Sequence, residues 1–245
     1  MDTAFLLVVV ALAAGVQAVS GFGFALLAVP ILAIAVDLRH AVVVVTVVAT
    51  VSTAVQWWES RAVPVGPLAR RLLVSSVVGL PLGLWALVAL DARMMKALLG
   101  ISVLSGVAML AWRGTTAAVK GVAERHRWDL AAGVASGVLA TATSTNGPPL
   151  VFLLRVRGAD PASFRAVLNR VFTVTGVASL ALFAAVGVVR ATDLVAAVLA
   201  VPVMLAAVWL GIRARPLVAE ATFRRLTLVL LALSCASALV SALLG

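Results

Sequence analysis

Charge is what this 245-residue chain has least of. Asp, Glu, Lys and Arg make up 11% of it, against about 25% in an ordinary soluble domain. With 64% hydrophobic residues and a mean hydropathy of +1.19, that scarcity excludes a soluble globular protein and a disordered one. A lone membrane anchor is excluded too, because the hydrophobicity runs the whole length. The single cysteine, Cys235, rules out an intrachain disulfide and a cysteine-based metal site. No Lys or Arg precedes Arg39, so the basic region of a signal peptide is missing. The nine carboxylates and both histidines, His40 and His126, stand at the ends of apolar runs or in loops. Paired carboxylates, a metal-ligand cluster and a Ser/His/Asp set are therefore not expected at membrane depth. That argues against an embedded enzyme and removes the usual proton-relay groups. No catalytic residue, metal or cofactor is expected.

What is there is a series of apolar runs. Cutting at charged residues and at His40 leaves eight, over 3–36, 41–58, 72–90, 97–112, 130–154, 171–189, 194–212 and 226–245. Most have about the length of one membrane helix. Run 3–36 as one straight helix would be about 51 Å long, too long for a hydrocarbon core of about 30 Å. It and run 130–154 are both interrupted, by Gln17-Ala-Val-Ser-Gly-Phe-Gly-Phe24 and by Thr141-Ala-Thr-Ser-Thr-Asn-Gly-Pro-Pro149. Gly and Pro break helices, Ser, Thr and Asn cap new ones, and Pro148 suits a first turn. Each long run is expected to be two shorter helices joined by a break inside the membrane.

The net charge of +10 would suggest nucleic acid in a soluble protein; here it is expected to mark cytoplasmic loops. If run 130–154 turns back, every Lys and Arg except Arg39, Arg93, Lys96 and Arg190 falls on one side. If it crosses, the two sides balance. The bias selects the hairpin. Run 3–36 has no preceding positive charge, so a weak repeat of the chain decides it: each half opens with a broken run and continues with three spans. The expected architecture is an all-α polytopic membrane protein of two inverted repeats. Repeat 1 covers 1–112, with a hairpin over 3–36 and helices over 41–58, 68–90 and 92–112. A cytoplasmic linker covers 113–128. Repeat 2 covers 129–245, with a hairpin over 129–156 and helices over 162–187, 191–212 and 221–244. Both termini are then extracytoplasmic. Trp57, Trp58, Trp112 and Trp128 would form an inner aromatic belt.

Two helices restarting near Gly23 and Gly147 would aim free N–H groups and positive dipole ends at the membrane interior, which favours an anion. The expected binding residues are Gln17, Ser20, Gly21, Phe22 and Gly23 at the first break and Thr143, Ser144, Thr145, Asn146 and Gly147 at the second. Asn169 and Arg170 join them from the next helix. Arg170, the deeper cation, is expected to draw an anion inward, while Arg165 reads as an anchor at the inner leaflet.

The segment Gly15 to Pro30, the segment Gly137 to Phe152 with Asn146-Gly-Pro-Pro149, Phe164-Arg-Ala166, and Gly211-Ile-Arg213 with Phe223-Arg224 together resemble the TauE/SafE family of sulfite-exporter-like proteins. The resemblance implies a multi-pass carrier of the bacterial inner membrane for sulfite, organosulfonates or related small anions. The partners it implies are that anion and the lipid bilayer, without nucleic acid. The expected function is export around the two opposed breaks by alternating access, with a passive anion channel and a non-transport assembly or sensor protein as alternatives. Coupling to sodium or to protons stays open at this point.

Overall fold

The computed structural model describes residues 2–111 and 126–214. Among them every regular element is a helix: α1 (Thr3–Ser20), α2 (Phe24–Leu32), α3 (Leu38–Glu59), α4 (Pro67–Ala89), α5 (Ala92–Ala111), α6 (His126–Thr143), α7 (Gly147–Val156), α8 (Pro161–Ala185) and α9 (Ala191–Ala214). Five of these (α1, α3, α4, α8 and α9) are long and apolar enough to cross a membrane. Val8, Leu12, Val78, Leu82, Ile101 and Val198 face outward, where lipid rather than water suits them. The chain is an all-helical polytopic membrane protein. α6 starts at His126, inside the stretch expected to be linker. Its first turn is stabilised because Asp129 lies buried between two arginines. The remaining linker residues, 113–125, and the last expected span, over 221–244, lie outside the described residues.

Both long apolar runs fold back. Thr3 and Leu6 of α1 share a cavity wall with Val36 and His40, so the chain returns to where α1 began. In the second run the Asp129 carboxylate, near the start of α6, accepts from Arg157, just past the end of α7. The two hairpins open at opposite ends of the bundle, and α4 measures it. Near its start, Arg71 donates through Nε to Asp129 at 2.7 Å. At its far end, the carbonyls of Val88 and Leu90 accept from Arg39 at 3.2 and 3.3 Å. The 17 residues from Arg71 to Val88 separate these points by about 26 Å. The Arg71 end also carries Arg61, Arg157, Arg165 and Arg170; it is the basic end.

Landmarks recur at one identical spacing along the chain. Gly21 and Ser144 adopt left-handed φ angles of 85° and 59°. Phe24 and Gly147 open the two short helices. Asp37 and Asp160 cap α3 and α8. Ser163, through its hydroxyl and then its backbone N–H, holds the Asp160 carboxyl below the usual carboxylate range. That cap therefore persists at neutral pH and is lost only as the pH falls through the lowered value. Packing follows the same relation. α1 lies along α9 as α6 lies along α4, α9 meets α3 as α4 meets α8, and α3 pairs with α8. Exchanging the halves maps each of these contacts onto its counterpart.

The α4–α6 seam is built from glycine. Gly79 and Gly83 of α4 face α6 backbone at Val134 and Val138, while Gly133 and Gly137 of α6 face Ser75 and the Ser76 carbonyl of α4. The four-residue spacing puts each pair on one helix face, so the two backbones approach closely. In lipid, where burial of apolar surface gives no drive to associate, such close contact is the main attraction between helices.

Candidate functional site

α1 ends where Gly21 turns left-handed and its N–H closes back on the Gln17 carbonyl at 2.7 Å. The Ser20 hydroxyl then donates to the Val16 and Phe22 carbonyls and accepts from the Phe22 N–H, which sets the corner. α2 restarts at Phe24. At the second break Ser144 takes the left-handed turn, although it has a Cβ, and α7 restarts at Gly147 with Pro148 in its first turn. Phe22 bridges the breaks: it packs on Gly147 and stands edge-on to Phe164, 6.4 Å between ring centres.

Between the breaks lies a cavity of about 40 Å³. A water needs about 10–15 Å³ by this measure, so there is room for a small polyatomic guest. Gln17, Gly23, Ser144, Thr145, Asn146 and Gly147 line it from the breaks. Thr46, Thr50 and Thr53 of α3 and Phe172, Gly176 and Ser179 of α8 close the sides. Among the described lining residues none is charged.

The helix starts supply the electrostatics. α1, α3 and α8 are capped by Asp2, Asp37 and Asp160, whose carboxylates accept first-turn N–H groups. α2 and α7 have no side-chain cap. The Phe24, Ala25 and Leu26 amides of α2 therefore keep the free hydrogens of a helix first turn, beside the cavity they line. Pro148 and Pro149 have no N–H, so α7 offers little more than Gly147 from its backbone, and side chains make up the difference. The Ser144 and Thr46 hydroxyls lie 3.1 Å apart, with Thr46 also 2.7 Å from the Val42 carbonyl. Gln17 Oε1 accepts from Ser52 at 2.8 Å, which leaves the amide NH2 without a partner among the described residues. Two positive helix ends and these neutral donors suit one small anion better than a cation.

The family model described as "Sulfite exporter TauE/SafE" matches residues 6–238. The chain belongs to the TauE/SafE family. The "Probable sulfite/organosulfonate exporter TauE" of Cupriavidus necator is 31% identical to it over 225 residues, which cover 85% of this chain and 82% of that protein. No solved structure matches. Membership of the TauE/SafE family makes this chain a multi-pass membrane transporter.

In this TauE/SafE protein the expected binding residues divide into three groups. Gln17, Gly23, Ser144, Thr145, Asn146 and Gly147 line the cavity. Ser20, Gly21, Phe22 and Thr143 shape the breaks from behind. Thr143, for instance, shares a hydrogen bond of 2.6 Å with Thr145, which in turn meets Ser102 of α5. Asn169 and Arg170 stand away from the central cavity, nearer the basic end. Arg170 donates to the Arg61 and Val63 carbonyls at 3.2 and 2.8 Å, so its guanidinium ties down the loop after α3. Arg165 instead lays its stem across Gly21, where an added Cβ would come within 2.6 Å of its Cγ. The side walls are the residues that sequence reasoning missed. Their signal was present: Thr46, Thr50, Thr53 and Gln56 form one stripe of α3 at helical spacing, and Asn169, Thr173, Gly176 and Ser179 repeat it on α8. Thr173 and Thr53 join the stripes at 3.1 Å.

Proposed function

We propose that this transporter exports a small sulfur oxyanion or organosulfonate from the bacterial cytoplasm, with the cavity between the two breaks as its substrate site. The basic end faces the cytoplasm in this reading, as the distribution of Lys and Arg favours. Both termini then lie outside. One observation carries the assignment: two uncapped helix starts share an uncharged cavity with free neutral donors. Such a site replaces part of an anion's hydration shell without the tight grip of a buried cation, so the guest can leave. The name of the Cupriavidus relative points to the same substrate class. The inside-negative potential favours anion export by about 2.3 kcal/mol per charge per 100 mV, so outward movement needs no coupling ion. Alternating access would rock the halves about the α3–α8 pair, the element that meets its own counterpart across the repeat.

Asn146→Ala in proteoliposomes tests this. The Asn146 side chain makes one long bond, Nδ2 to Thr175 at 3.3 Å, so its removal should change the melting temperature little. Sulfite efflux should saturate in the wild type and fall at least tenfold in the variant. Undiminished flux would remove Asn146 from the site. Flux that never saturates would indicate a channel. Absence of flux with every small anion tried would overturn the reading.

A further inference from the structure

A second cavity, of about 200 Å³, opens at the basic end where the last turns of α3 meet the first turns of α8. Its size suits a ligand smaller than the drug-like molecules that fill pockets of about 300–1,000 Å³. Glu59, Arg165 and Asn169 all line it. Arg165 is half-buried and has no hydrogen-bond or ion-pair partner among the described residues. Its stem crosses Gly21, so this cation stands between the second cavity and the first break. Arg170 cannot share the task, because its guanidinium holds the carbonyls of Arg61 and Val63.

The acceptors on the same wall do not fit a plain anion. Asn169 is 1% exposed, and its Oδ1 is buried with no donor in reach among the described residues. Native structures rarely leave such a group unsatisfied. Glu59 adds a carboxylate that pairs with no described cation, Arg165 included. A cavity made only to gather sulfite would be weakened by both groups, since each repels negative oxygen. Both are used if the ligand carries N–H donors as well as an oxyanion.

We propose that this cavity is a recruitment subsite for small zwitterions, molecules that carry an ammonium group a few bonds from a sulfonate or a similar oxyanion. Arg165 takes the oxyanion, Glu59 and Asn169 Oδ1 take the ammonium hydrogens, and the Arg165 stem leads toward Gly21. The proposal rests on the reading of the chain as an exporter of small oxyanions and adds a charge pattern to its substrate.

Two probes of equal length separate the cases: 2-aminoethanesulfonate, with an ammonium, and 2-hydroxyethanesulfonate, with a hydroxyl in its place. Their affinities for the purified full chain in detergent can be measured by calorimetry, with sulfite as a third ligand. The amino compound should bind the wild type at least tenfold more tightly than the hydroxy compound. Glu59→Gln should bring that ratio toward one, and Asn169→Leu, which removes the acceptor at similar volume, should lower it. Arg165→Gln should weaken both sulfonates. Circular dichroism and melting temperature identify any variant that has lost its fold. Equal affinities in the wild type, or a preference untouched in both folded acceptor variants, would overturn the proposal. If sulfite still binds and loses affinity in Asn146→Ala while no ammonium preference exists, only the subsite falls and the central anion site stands. If none of the three ligands binds, both readings fall.

Discussion

Replacing Gly137 by valine is expected to leave little or no folded protein. A Cβ at this position would sit far inside contact distance of the Ser76 carbonyl and within 3.0 Å of the Gly79 Cα. The obstacle is backbone, not the end of a flexible side chain, so relief requires α4 and α6 to separate. Separation forfeits the close packing along the whole glycine seam, on which association in lipid depends. Overpacking in a well-filled interior commonly costs about 1–3 kcal/mol. A clash with backbone repeated at Gly79, Gly83 and Gly133 places this site at the upper end or beyond. Alanine should already lower the melting temperature, and valine should eliminate the monodisperse peak in size-exclusion chromatography. Gly15→Ala is the control: a Cβ there meets nothing within 4 Å, and replacing a mid-helix glycine gains roughly 0.5–1 kcal/mol. Equal behaviour of the Gly137 and Gly15 variants would show that the seam is not tightly packed.

Asp129→Ala is expected to cost nearly as much. The carboxylate is fully buried and accepts from Arg71 on one oxygen and from Arg157 on the other. It therefore ties the start of α4, the start of α6 and the chain after α7 into one knot. Removing one member of a buried ionic group costs about 3–5 kcal/mol, because the remaining charges lose their partner. Arg71 and Arg157 keep 30% and 17% of their side-chain surface exposed, so solvent relieves part of the loss and the lower end of that range is expected. Arg71→Gln in the Asp129→Ala background should add far less than it does alone, since the three groups act together. Thermal melts in detergent give the comparison. Additive losses would mean that the pairs are independent surface contacts. Asp129 stood in the sequence only as one of several carboxylates at a run end; two partners far away in the chain give it this role.

The breaks illustrate how far local chemistry reaches. That α1 stops near Ser20 and that α7 begins at Gly147 follow from Gly21, Gly23, Pro148 and Pro149, because backbone φ and the missing proline N–H are properties of those residues wherever they lie. The helical membrane character follows as directly from 64% apolar content, and the basic end from where Lys and Arg fall.

Other features needed the tertiary structure. Helix rotation decided that Thr46, Thr50 and Thr53 wall the cavity, that Arg165 rather than Arg170 keeps a guanidinium free of partners among the described residues, and that Asn169 faces a separate cavity. In a soluble protein the apolar stripe of a helix announces which face turns inward. Here lipid and protein interior are both apolar, so the outward-facing Val78 and the buried Leu80 of α4 look alike in the sequence. Which faces meet is settled by close packing and by a few polar pairs between distant residues, and those exist only once the helices have assembled.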